Sequence, residues 1–192
     1  MSVVALSGVA LGYLCAHFAL YYLQKDVLTP LQTLLIPGGL SVLLVAPLHG
    51  LRVVTAWYLG FWAIPVMLPT AAVIVLMNWT RMGDTTTTIW LSLLALVYIV
   101  SAPFAFCLLR SCLGPQGHPR NFEWRMIMLA GFISAVVNIL AAGLYNPQGF
   151  DPRETILWLS TRLTSYILGV FVTLLAMLMA LRWIGARIRQ QI

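Results

Sequence analysis

The chain has 192 residues, 61% of them hydrophobic and 8% charged, and its mean hydropathy is +0.93. A soluble domain carries about 25% charged residues, so there is too little polar material here to coat a globule in water. Five acids against eleven basic side chains, net +6, also exclude an acidic tail and a charge-rich disordered regulator.

The composition implies an integral membrane protein. A helix crosses the hydrocarbon core with roughly 20 apolar residues. Runs free of Asp, Glu, Lys and Arg, at 1–24, 27–51, 53–80, 85–109, 126–150 and 163–181, predict spans over about residues 2–24, 31–48, 52–78, 86–109, 126–146 and 156–183. The expected fold is all-α, a polytopic transmembrane helical bundle of six spans in a single domain. A transmembrane barrel would show alternating segments of about 10 residues, and these runs are continuous and longer.

In the first span Gly8, Gly12 and Ala16 recur every four residues and share one helix face. Association in lipid is driven by close packing, so this face either packs within the bundle or docks a partner membrane protein. His17 reads as a structural histidine. Cys15, Cys107 and Cys112 show no metal-ligand spacing, and reduced thiols are expected. No metal or cofactor is implied. Nothing basic precedes the first apolar run, so a cleaved leader is not expected.

The second and third runs are the most irregular. Pro37, Gly38 and Gly39 interrupt one, Pro47 ends it, and Pro65 and Pro69 kink the next. Proline removes a backbone donor and clashes with the preceding turn. Such breaks occur at membrane depth where a cavity or a neighbouring helix satisfies the freed carbonyls, and they mark binding sites in transporters. Pro37, Gly38 and Gly39 are therefore candidate ligand-binding residues, with bundle shaping as the competing reading. His49 and Arg52 fall in a predicted cytoplasmic turn. There Arg52 anchors the topology, or holds a lipid phosphate, a partner carboxylate or a helix C-terminus.

The segment Ile36-Pro37-Gly38-Gly39-Leu40, an apolar run, Gly50-Leu51-Arg52 and Gly60 resembles part of the MASE-type membrane-associated sensor domains. It is also similar to the early helices of the substrate-binding subunits of energy-coupling-factor vitamin transporters. The latter resemblance implies six helices, both termini inside, and a small-residue face on the first helix that docks a coupling subunit. That role would fall on Gly8, Gly12 and Ala16.

Polar groups inside later spans are further candidates, because intramembrane polar residues are costly and mark function. Asn138 lies in the middle of the fifth span and Arg162 near the start of the sixth. Asn138 reads as an interhelical hydrogen bond or a ligand contact. Arg162 snorkels outward, pairs with a ligand anion, or pairs with Glu154 or Asp151. Asp151-Pro152 suits a helix N-cap and first turn. Trp79, Trp90, Trp124 and Trp183 sit at span ends, as an interfacial belt requires.

Basic residues occur singly, with no run that would suit nucleic acid. Under six spans, Arg52, Arg110, Arg120, Arg125, Arg182, Arg187 and Arg189 share one side, and Lys25, Arg81 and Arg153 share the other. Seven against three predicts both termini in the cytoplasm and a multi-pass protein of the inner (plasma) membrane. No nucleophile–base arrangement or catalytic motif occurs, so an enzyme is not expected. The expected function is a ligand-binding transport or sensing module that contacts membrane lipids and works with a partner protein. The alternative is a non-catalytic accessory or assembly subunit of a larger respiratory or photosynthetic complex.

Overall fold

A computed structural model describes residues 2–35, 45–82, 85–113, 124–144 and 152–189. All of these except Ser2, Val45 and Ala46 are helical. The helices are α1 (Val3–Leu23), α2 (Thr29–Leu35), α3 (Pro47–Leu59), α4 (Ala63–Met82), α5 (Thr85–Leu113), α6 (Trp124–Leu144) and α7 (Pro152–Arg189). Five stretches of the described residues are long and apolar enough to cross a membrane. The outer surface is correspondingly apolar: Leu93, Phe104, Leu140 and Phe171 are all exposed. The chain is a membrane-embedded helical bundle.

Ser2 caps α1, its side-chain oxygen accepting a hydrogen bond from the Ala5 amide at 3.3 Å. The helix does not end at Lys25–Asp26, where the sequence predicts a connector. It passes through a π-turn, Gln24–Leu28, and continues as α2. Pro30 explains the distortion, since in a regular α-helix its ring would meet the carbonyl four residues earlier. The widened turn relieves that clash. The Thr29 amide and hydroxyl both donate to the Gln24 carbonyl, the hydroxyl at 2.8 Å.

The predicted turn around His49 and Arg52 is also helical. Pro47 occupies the first turn of α3, where its missing donor costs nothing, and α3 carries both residues onward to Leu59. The reversal comes later, through the 3-10 turn Gly60–Trp62, with Gly60 at φ 58°, a backbone conformation that strains residues bearing a Cβ. Leu48 and Arg52 of α3 share a cleft with Thr70, Ala71 and Ile74 of α4, so the two helices fold back on each other. Tyr58, Phe61 and Trp62 are exposed around the bend, as interfacial aromatics are. Trp79, Trp90, Trp124 and Trp183 are exposed as well.

Interhelical contacts set the directions of the remaining helices. The Ser101 and Ser134 hydroxyls hydrogen-bond at 2.8 Å between α5 and α6. Gly131 of α6 faces Val170 of α7, while Ala135 and Ile139 pack with Tyr166; α6 and α7 are antiparallel. Helix α3 runs parallel to α7. The Ala46 amide donates to the Ser165 carbonyl at 3.1 Å, and the Thr173 hydroxyl donates to the Pro47 carbonyl at 3.4 Å. The start of α3 thus lies beside the middle of α6 and α7, and its 13 residues extend about 20 Å toward one end of the bundle.

Glycines make this contact possible. A Cβ on Gly50 would collide with the Gly169 carbonyl and the Thr173 side chain, and one on Gly169 would collide with the Ala46 backbone. Small residues let helix backbones approach closely where lipid supplies no hydrophobic drive. The shared core follows the same rule, with Ala56, Ala63, Ala102, Ala105 and Ala130 buried around Val53, Met67 and Ile127.

Candidate ligand-binding cleft

A cleft of about 340 Å³ opens between α1, α3, α4 and α5, within the range of small-molecule sites. Most of its wall is apolar, from Leu48, Met67, Ile74, Leu91 and Leu94, while Tyr13, His17, Arg52, Thr70, Asn78 and Tyr98 contribute polar groups. Such a mixture binds an apolar body and orients it through a few polar contacts.

Arg52 is the centre of charge. One turn into α3, its side chain is half-buried and folds back so that Nε donates to the Leu48 carbonyl at 3.3 Å. Nη1 donates to the Tyr98 carbonyl at 3.5 Å. The guanidinium carbon stands 4.9 Å from the centre of the Tyr98 ring, a cation–π contact. A guanidinium carries five N–H donors, so these two bonds leave three for other partners. Asp26 is the single acid whose side chain is among the described residues, and it is exposed in the π-turn.

Two further polar groups border the cleft. His17 is 8% exposed and Thr70 is 2% exposed. His17 Nδ1 and Thr70 Oγ1 have no hydrogen-bond partner among the described residues. The His17 ring lies 5.9 Å from Tyr13 and edge-on to Phe18. Asn78 is satisfied within its helix, its Nδ2 donating to the Ile74 carbonyl at 2.8 Å.

Behind Tyr98 the polar groups continue into the bundle. Tyr166 stacks on His49 with ring centres 4.6 Å apart. His49 Nε2 lies 3.1 Å from the Gly131 carbonyl. A carbonyl only accepts, so the proton sits on Nε2, and Nδ1 is left without a partner among the described residues. His49, expected in a cytoplasmic turn, is 1% exposed and ties α3 to α6 and α7.

The other candidate residues are dispersed. Asn138 and Arg162 do not line this cleft. Asn138 is fully buried with neither amide atom hydrogen-bonded among the described residues. The Arg162 guanidinium carbon lies 5.0 Å from the Trp158 ring centre, and its Nε is buried without a partner among the described residues. Gly8 and Gly12 are exposed, with no atom within 4 Å of a Cβ placed on either, and Ala16 is half-buried. Pro37, Gly38 and Gly39 lie outside the described residues, as do Asp151 and the Glu154 side chain. Sequence reasoning passed over Tyr98, Tyr13 and Thr70. Their one sequence signal is a polar atom inside an apolar run, which many membrane helices share.

No protein-family model, curated protein or solved structure matches the chain.

Proposed function

We propose that this chain is a ligand-binding module of the inner membrane that serves transport or sensing together with a partner protein. The observation that carries this reading is the cleft with Arg52 half-buried against Tyr98. A cation inside a transmembrane bundle is expensive and marks a pathway or a site. The direct test is purification from native membranes in mild detergent, followed by native mass spectrometry. A reproducible small-molecule adduct that disappears when Ala71 at the cleft wall is replaced by Trp is the expected result. Adduct-free protein from every preparation would refute the reading.

In this account the chain passes the membrane six times, and the second passage ends in α3. With Arg52 and Arg162 inside the bundle, the ends shared by the two termini hold Arg110, Arg120, Arg125, Arg182, Arg187 and Arg189. The opposite ends hold Lys25, Arg81 and Arg153. Six against three still favours termini in the cytoplasm.

The partner would sit on α1. Its face at Gly8 and Gly12 is uncovered among the described residues, whereas Gly50, Gly131 and Gly169 supply the close packing inside the bundle. The same uncovered face favours the second reading, a non-catalytic accessory subunit of a larger membrane complex. Under that reading the partner co-purifies and the cleft holds no exchangeable ligand.

A further inference from the structure

We propose that the cleft selects a hydrophobic anion, a single carboxylate or phosphate monoester on an apolar body, and that Arg52 holds its charged end. The inference rests on the ligand-binding reading above and adds the charge and shape of the ligand.

Three observations carry it. First, Arg52 contributes a permanent positive charge with N–H donors left over after its bonds to the Leu48 and Tyr98 carbonyls. The Tyr98 ring beneath it screens the cation without neutralising it. Second, His17 and Thr70 are each more than nine-tenths buried at the border of the cleft, and each has a polar atom without a hydrogen-bond partner among the described residues. Leaving such groups unpaired is costly, and a bound headgroup would supply partners after a small side-chain rotation. Third, the remaining wall is hydrocarbon. From Met67 to Asn78 it follows about three turns of α4, roughly 16 Å of helix, toward a rim where Tyr21 and Met77 are exposed. An inorganic anion would leave that length empty. A neutral lipid would leave the guanidinium without its counter-charge. An anionic head on one short apolar chain satisfies both ends.

The experiment uses the full chain in lipid nanodiscs and measures saturable binding of four probes with one hydrocarbon tail. Decanoate and decyl phosphate are the two anionic arms, decanol the neutral arm and decylamine the cationic arm. At least one anion is expected to bind tenfold or more tightly than decanol, with decylamine weakest, and the stronger anion identifies the headgroup. Arg52→Gln should remove that preference by weakening the anion while leaving decanol unchanged. Arg52→Lys should restore part of it. If Arg52→Gln does not fold, Thr70→Val and His17→Phe, which keep the guanidinium, should each weaken the anion several-fold and spare decanol. Equal affinity of decanol and both anions, or an anion preference that survives Arg52→Gln, overturns the proposal while the cleft remains a binding site. Failure of all four probes to bind overturns this proposal alone, because native ligands of another class would still appear as adducts in the mass spectrum.

Discussion

At the scale of single residues, Arg52 carries the account, and the sequence expects a turn where the structure has a helix. Charge in an apolar chain reads as an interface, because an isolated Arg is costly at the centre of a bilayer. What keeps it inside is a ring and a carbonyl from Tyr98, forty-six positions away, and no local pattern announces that pair. The glycines repeat the lesson. Gly8 and Gly12 show the spacing associated with packing, yet they are uncovered, while Gly50 and Gly169, far apart in sequence, bring two backbones together. An order of sensitivity follows for thermal unfolding in detergent. Gly50→Ala and Gly169→Ala each meet backbone and should cost about 1–3 kcal/mol, as overpacking does. Gly131→Ala meets a Val170 methyl at 2.9 Å, which can rotate aside, so its cost should be smaller. Gly8→Ala should change nothing measurable. A Gly8→Ala variant that melts as early as Gly169→Ala would show that the α3–α7 contact is not where the bundle is held.

At the scale of elements, the long apolar helices were legible and their joints were not. The expected spans 86–109, 126–146 and 156–183 overlap α5, α6 and α7, because length and hydropathy suffice for a crossing helix, whereas 52–78 starts inside α3 and runs across the Gly60 bend into α4. Lys25–Asp26 reads as a loop but is a π-turn, since Pro30 distorts the helix without stopping it. The bend that does reverse the chain is at Gly60, where φ is 58° and no atom lies near the missing Cβ. Gly60→Ala should therefore act through backbone strain alone, costing about 1–3 kcal/mol in the same thermal assay. An unchanged midpoint would mean the bend tolerates an ordinary residue. For α1, Gly8→Leu with Gly12→Leu should abolish recovery of a partner protein while the melting midpoint stays put. Undiminished recovery would move the partner surface elsewhere.

At the scale of the whole molecule, a membrane bundle was readable from composition, and the six-pass path rests on α3. That helix starts beside the midpoints of its neighbours and ends among exposed aromatics, so Arg52 should sit in the interior and Phe61 at the surface of the same leaflet. Labelling with a membrane-impermeant maleimide tests this most directly. Cys15, Cys107 and Cys112 are free thiols and would first be replaced by Ser. Phe61→Cys should then react from the cytoplasmic face in inverted vesicles and resist label in intact cells, while Arg52→Cys should resist label from both faces. Labelling of Arg52→Cys from the cytoplasmic face as fast as Phe61→Cys would return Arg52 to an exposed turn and contradict the buried site.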